Sequence, residues 1–428
     1  MNSALLQSPS LSAAPRRQDI LEDRDGAAKA TVRGTHRSRS LHDTLQLAWE
    51  IRERVGVSRV ADLTDLDHLG IPVVATYRPD AAPANLTVTG GKGLSLLAAT
   101  VSALMEAVER HCGEVQGRRG IEGSFEALRT QGYRVLHPRR LLLAHGSTWT
   151  PTAACEWWPA RELHSDAVVL VPAGAVFVPY QRPPRLFASS SDGLAAGNCL
   201  AEAALHGLYE LIERDATAFG ETLRQGTVLA QDSLPGDAGR LASRIHACGL
   251  RLRCYHFPSA LAVPVFYAVI DDEASADPML INGGAGCHLD PGVALCRALT
   301  EAVQSRVCVI SGAREDLARH AGRRRRTYAE AREALDAWES DWDRGDYGAV
   351  ADQSTGSING DLGLLVERLR DGGFPHLLCV DLTLPGIPFR VCRTLVPGFE
   401  FFHQETDRIG DRLLRELLSA GKLGGGRV

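Results

Sequence analysis

Apolar positions in residues 41–60 (LHDTLQLAWEIRERVGVSRV) fall three or four apart, the spacing of a helix with one buried face, and the run ends at Gly56. The next stretch, VADLTDLDHLGIPVVATYRP, alternates short apolar runs with turn residues and predicts two strands. One plan then occurs three times. TVTGGKGLSLLAATVSALMEAVERHCGE, SSSDGLAAGNCLAEAALHGLYELIERDATAF and GGAGCHLDPGVALCRALTEAVQSRVCVISGARED each read as a glycine-bearing turn followed by a long amphipathic helix. Between these units, residues 120–190 carry short strands and proline-rich loops, and strands are expected at 250–256 and 262–271. PHLLCVDLTLPGIPFRVCRTLVPGFEFF predicts two further strands, followed by a polar tail with a short helix. The pattern is α/β, with mixed sheets and long helices. Residues 1–40, rich in Ser, Ala and Arg without lasting periodicity, are expected to form a flexible N-terminal arm. Residues 41–405 then form the folded body and 406–428 a polar C-terminal tail.

The helices carry unusual acidic faces. At about 100° per residue, Ser102, Glu106 and Glu109 share one face, with Arg110 beside it. Glu202 and Glu213 stand eleven residues apart, three turns and about 20° further round a helix. Glu210 lies one turn before Glu213, and Asn198 one turn before Glu202. The interleaved Ala203, Leu205, Leu208, Leu211 and Ile212 put this face at least partly inside the protein. Carboxylates crowded on buried faces repel one another and lose hydration, so they need cations. Arginines supply some of that charge, and two magnesium ions, which prefer oxygen ligands and phosphates, would supply more. For either E-x-x-E-R alone, an ordinary salt-bridged helix is the simpler account. Its recurrence after a second glycine turn, with Glu301, Gln304 and Arg306 in a third unit, favours a site. Lys92 in GGKG sits among glycines that would let backbone N–H groups approach an anion, although the spacing is not that of a Walker A loop.

Composition narrows the class. The 428 residues suffice for two or three domains or one large α/β unit. A net charge of −5, from 47 basic and 52 acidic side chains, argues against a nucleic-acid partner bound through phosphate neutralisation. No apolar run reaches the roughly 20 residues that span a bilayer, and MNSALLQSPSLSAAPRRQD is a poor signal peptide. Ten scattered cysteines form no C-x-x-C pair, which fits reduced thiols in a cytoplasmic protein. Cys287 and His288 are adjacent in sequence, but no third group orients them, so loop packing is expected of both. The run Arg323 to Arg326 reads as a solvated face.

Together these residues resemble the YcaO family. Its hallmarks S-x-x-x-E-x-x-E-R, N-x-x-x-E-x-x-x-x-x-x-x-E-x-x-E-R-D and E-x-x-Q-x-R are matched by Ser102/Glu106/Glu109/Arg110, by Asn198/Glu202/Glu210/Glu213/Arg214/Asp215 and by Glu301/Gln304/Arg306, in order over residues 60–400. The resemblance implies a YcaO-type fold across residues 41–405 whose acidic site binds ATP and Mg2+. It implies Glu106, Glu109, Glu202, Glu210 and Glu213 as metal ligands, with Lys92, Ser102, Asn198 and Gln304 joining them around the nucleotide. Lys92, Arg110, Arg214 and Arg306 become the catalytic cations, since phosphoryl transfer needs positioning and charge neutralisation more than covalent help. The implied substrate is a ribosomally made precursor peptide whose backbone amide oxygen is phosphorylated while a nucleophile attacks.

The nucleophile decides the product: a Cys, Ser or Thr side chain gives an azoline, sulfide a thioamide, an amine an amidine. Many azoline-forming members end in P-x-P-x-P, whereas this chain ends GKLGGGRV. Its flanking phrases resemble the members that work with a TfuA partner in thioamide formation. Two departures bear on that subclass: Gly90 and Gly91 precede Lys92 where the family has Gln before glycine-lysine-glycine, and GARED (312–316) stands where a G-S-R-D-D-like phrase is commoner. The expectation is a thioamide-forming enzyme that needs a TfuA-like partner and a sulfur donor, with a homodimer left open. An azoline-forming cyclodehydratase and a non-catalytic peptide-binding scaffold are the alternatives.

Overall fold

A computed structural model describes residues 11, 14–21, 28–315, 326–401 and 409–422. Arg323 to Arg325 of the arginine run, and residues 402–408 and 423–428 around the expected tail, lie outside the described residues. After α1 (Arg17–Leu21), helix α2 (Leu41–Ile51) starts at Ser40, whose Oγ accepts a hydrogen bond from the N–H of Asp43. Strands β1 (Arg59–Asp62), β2 (Val73–Tyr77) and β3 (Val88–Lys92) form an antiparallel sheet in that order, and α3 (Leu96–Gly113) follows. Next come β4 (Ile121–Ser124), α4 (Phe125–Thr130), β5 (Ala154–Glu162), β6 (Val168–Pro172) and β7 (Leu194–Gly197), and then α5 (Leu200–Leu223). A further group comprises β8 (Thr227–Leu229), α6 (Gly236–Ala247), β9 (Arg251–Phe257), β10 (Val265–Asp271) and β11 (Asn282–Cys287), followed by α7 (Pro291–Ser311). The chain continues through α8 (Tyr328–Glu339), β12 (Asp343–Gly345), α9 (Ile358–Asp371), β13 (Leu378–Asp381), β14 (Arg390–Leu395) and α10 (Asp411–Ser419). The second sheet has the order β4-β5-β13-β14-β7 with β6 paired to β5, and the third the order β11-β10-β9-β8-β12.

In this order β3, β7 and β11 are each the edge strand of a different sheet, and each leads directly into one of the long helices α3, α5 and α7. Three apolar clusters hold these helices down. Leu205, Leu208 and Ile212 of α5 pack with Tyr255, Phe257 and Leu365; Leu104 and Val108 of α3 with Val171, Val380 and Val391; Leu295, Leu299 and Val303 of α7 with Phe266 and Ile270. Fully burying each such side chain contributes about 1.5–3 kcal/mol. No described helix is long and apolar enough to cross a membrane.

The predicted turn at Gly193 is present, with φ at +81°, but the glycines of the first and third units lie in strands β3 and β11. Gly90 and Gly91 pair with Ala75 and Val74 of β2 and so form no loop cradle for an anion. A Cβ on Gly91 would stand 2.1 Å from the backbone N of Ala103, one on Gly284 2.2 Å from that of Ala302, and one on Gly286 2.0 Å from the carbonyl of Ala294. Glycine is required here because helix backbone lies directly on strand backbone, leaving no room for a side chain.

Candidate functional site

Helices α3, α5 and α7 each turn one face to a common cleft of about 370 Å3. From α3 come Ser102, Glu106, Glu109 and Arg110. From α5 and the residue two before it come Glu202, Glu210, Glu213, Arg214 and Asn198. The end of β3 contributes Lys92, and α7 contributes Glu301 and Gln304. The structure therefore brings together every predicted site residue except Arg306. That guanidinium is 3% exposed beneath α7, where Nε donates to Asp67 and one Nη to Asp272, both at 2.9 Å. Arg306 is a buried fastener between distant segments, which corrects its expected catalytic role. Asp215, which ends the motif begun by Asn198, likewise lies away from the cleft lining and pairs with Arg412 at 2.6 Å.

The cleft carries charge of both signs, and several of its cations are already engaged by carboxylates. Arg214 alone faces Glu213 at 3.2 Å, Asp192 at 3.3 Å and Glu210 at 3.6 Å. Arg110 reaches Glu106 at 3.6 Å, and Lys92 is held by Glu301 at 2.6 Å. Burial, and then the neighbouring charges of Glu210 and Glu106, push the Glu109 carboxyl well above the ordinary range. Burial, with Asp192 and Glu213 adding to it, raises Glu210 to about 7. Glu213 is raised by burial and by Glu301. Glu301 itself, against the cost of burial, is held at about 2 by Lys92 and Arg214. Burial is the first cause of these upward shifts, and a divalent ion among the oxygen donors would offset it, so these carboxylates fit Mg2+. Glu106 and Glu109 of α3 with Glu202, Glu210 and Glu213 of α5 would hold it.

Some residues of the cleft escaped the sequence reading. Arg33, Gly34, Thr35 and Arg37, from the expected flexible arm, line its mouth. His206 and Arg297 also line it. His206 stands four residues from both Glu202 and Glu210, and Arg297 four before Glu301, so counting along the acidic faces would have found both. Burial, then Arg37 and Arg297, hold the His206 imidazole well below its usual pKa. The arm gave no such signal, because its contacts are with remote segments. The Glu202 carboxylate, 2% exposed, accepts from the Ser38 N–H at 2.8 Å and the Ser38 hydroxyl at 2.7 Å. Asn198 donates to the same carboxylate through its N–H at 3.2 Å and through its amide.

Beside this cleft, ligand atoms of His36, His288 and Asp361 approach within 4.8 Å of one another. Two contacts argue against a metal there. The Lys29 ammonium already pairs with Asp361 at 2.8 Å, and Nδ1 of His288 accepts from the Asp290 N–H at 2.9 Å. A neutral ring accepting at Nδ1 carries its proton on Nε2, which then has no lone pair for a metal. The cluster ties the arm down. Cys287 is buried, and burial pushes its thiol well above the usual value, as loop packing rather than nucleophilic use requires.

A family model described as YcaO cyclodehydratase, ATP- and Mg2+-binding, matches residues 90–400. An uncharacterised protein of Methanothermobacter thermautotrophicus (strain Delta H) is 37% identical over 379 residues, 87% of this chain and 97% of its own length. An uncharacterised protein in the tfuA 3' region of Rhizobium leguminosarum bv. trifolii is 33% identical over 362 residues, covering 81% of this chain and 84% of that one. Among solved structures, the YcaO from Methanopyrus kandleri bound with AMPPCP and Mg2+ superposes with a TM-score of 0.73 at 26% identity, over 90% of this chain and 98% of that chain. A heterocyclase in complex with substrate and cofactor reaches a TM-score of 0.76 at 22% identity, over 96% of this chain and 60% of the other, a likeness of fold.

Proposed function

Because this chain belongs to the YcaO family, we propose that it uses ATP and Mg2+ to activate a backbone amide of a precursor peptide for conversion to a thioamide. The observation that carries the reading is the cleft between α3, α5 and α7, where Glu106, Glu109, Glu202, Glu210 and Glu213 line one cavity with Lys92, Arg110 and Arg214. Mg2+ bound there supplies the charge that lets a polyphosphate approach a carboxylate-lined wall. Glu106, Glu109, Glu202, Glu210 and Glu213 would hold it, with Asn198 beside Glu202. Lys92, Arg110 and Arg214 oppose charge on the transferring phosphoryl group, for which Lys92 must leave Glu301.

Sulfur adds to the amide carbon while the amide oxygen takes the terminal phosphoryl group of ATP, releasing ADP. The C–O bond then breaks, phosphate departs with the proton that sulfur loses, and C=S remains. An amide oxygen leaves poorly, and its phosphate ester leaves well. The relative in the tfuA 3' region supports a TfuA-like partner that delivers the sulfur. The family description as cyclodehydratase favours a second reading, in which a peptide Cys, Ser or Thr attacks and an azoline forms.

One experiment separates the two. The chain, ATP, Mg2+, sulfide and a TfuA-like protein are combined with a precursor peptide and with its variant carrying Ala after the modified amide. Oxygen-for-sulfur exchange in both peptides, seen by mass spectrometry and matched by ADP release, supports the thioamide. Loss of water from the parent peptide alone, without a sulfur donor, would make this chain an azoline former.

A further inference from the structure

Residues 28–40, of which Arg33, Gly34, Thr35 and Arg37 line the cleft, are fastened at both ends. On one side Ala28 bridges to Ser357, and the Lys29 ammonium is bonded to Asp361 and to the Thr355 carbonyl. On the other side Ser40 caps α2. Between these anchors the chain folds back on itself through an antiparallel bridge of Thr31 to Arg37. Its tip pairs Arg33 with Asp237 at the start of α6, on the surface. The stretch is a strap with fixed ends whose middle is held by polar contacts at Arg33, His36, Arg37 and Ser38.

That middle takes hold of the cleft at one carboxylate. Oε2 of Glu202 accepts two hydrogen bonds from Ser38 and a third from the Asn198 amide at 3.3 Å. Oε1 accepts from the Asn198 N–H and amide at 3.2 and 3.1 Å, with Arg37 at 3.5 Å. A carboxylate offers about four lone-pair directions, so Glu202 has none left for a metal. Asn198 is on the same structural unit as Glu202 and moves with it, whereas Ser38 belongs to the strap. The strap also docks at a cost. His36 is buried against the edge of His288, with ring centroids 4.5 Å apart; its Nε2 faces Asp290 at 3.4 Å, but its Nδ1 has no hydrogen-bond partner among the described residues. A buried polar atom left unsatisfied makes the docked state easier to undo.

We propose that Ser38 and a divalent metal compete for Glu202, so that loading the cleft with a magnesium nucleotide lifts residues 31–38 from α5 and emptying it lets them return. This rests on the reading of the cleft as a magnesium–nucleotide site. The strap then gates loading, and access to the cleft is coupled to the metal rather than to the nucleotide base.

The test uses the full chain and the non-hydrolysable AMPPCP. Hydrogen–deuterium exchange of residues 31–38 should quicken on adding AMPPCP with Mg2+, while residues 202–213 slow; AMPPCP with EDTA should leave the strap protected. By calorimetry Ser38→Ala should bind Mg2+·AMPPCP about 10-fold more tightly than wild type, the worth of one hydrogen bond to a charged acceptor, and Ser38→Thr should bind as wild type does. Slower exchange of residues 31–38 on loading, or equal or weaker binding by Ser38→Ala, would overturn the competition while leaving the nucleotide site intact. Wild-type protein that binds no Mg2+·AMPPCP would overturn the nucleotide reading itself, and the proposal with it.

Discussion

Replacing Glu210 by glutamine should make the empty protein more stable at neutral and alkaline pH. The carboxyl is raised from 4.5 to about 7 in the folded chain, first by burial and then by Asp192 and Glu213. A group whose folded pKa exceeds its unfolded one binds its proton more tightly when folded. Its stabilising contribution is therefore complete below about pH 4.5 and is lost as the pH rises through 7. Each unit is worth about 1.4 kcal/mol, so ionised Glu210 costs up to roughly 3 kcal/mol above pH 8. Glutamine has nothing to ionise and avoids that loss. For a chain of this size about 1–2 °C per kcal/mol is expected, giving a rise in Tm of about 3–6 °C in EDTA at pH 8 and little change at pH 5. Mg2+ with ATP should reverse the order, stabilising wild type more than the variant, because the wild-type carboxylate has a cation to answer it. Thermal denaturation at the two pH values, with EDTA or with Mg2+·ATP, gives all four numbers. A variant no more stable than wild type at pH 8 in EDTA, with an undiminished Mg2+·ATP shift, would refute both the burial cost of ionised Glu210 and the metal assignment.

Further outcomes follow from other contacts. Arg306→Met should lower stability by about 3–5 kcal/mol in chemical denaturation, because it takes the guanidinium from between the buried carboxylates of Asp67 and Asp272, yet the folded fraction should bind Mg2+·AMPPCP with unchanged Kd. Gly91→Ala should cost about 3 kcal/mol or more, since its Cβ would meet α3 backbone. Gly363→Ala, inside α9 with nothing within 4 Å, should raise stability by about 0.5–1 kcal/mol in the same assay. In the native protein the Cys287 thiol should resist iodoacetamide until the chain is unfolded, as read by peptide mass spectrometry; rapid native labelling would contradict its burial.

Much of the site could be read from spacing alone, because a helix converts sequence intervals into directions. Ser102, Glu106 and Glu109, or Glu202, Glu210 and Glu213, needed only the period of 3.6 to be placed on common faces, and the structure turns those faces to one cleft. Two readings failed for lack of such a ruler. Gly90, Gly91 and Gly284 were expected in turns because glycine marks both a chain reversal and a close approach of backbones, and composition does not distinguish them. Arg306 shares a motif with Glu301 and Gln304, but its partner Asp67 lies 239 residues away, and no local pattern announces a pairing of that range. The same holds for Ser38, whose bond to Glu202 spans 164 residues.

The side-chain-free seams at Gly91, Gly284 and Gly286 also bear on how such a cleft adapts over generations. Where two backbones touch there are no rotamers to repack, so the distance from strand to helix cannot drift by small substitutions. Lys92 is thereby held at a fixed distance from α3, and Glu301 at a fixed distance from β11, by main chain. Variation in what the enzyme accepts must then come from the rim, where the arm and the loops can change without disturbing the floor.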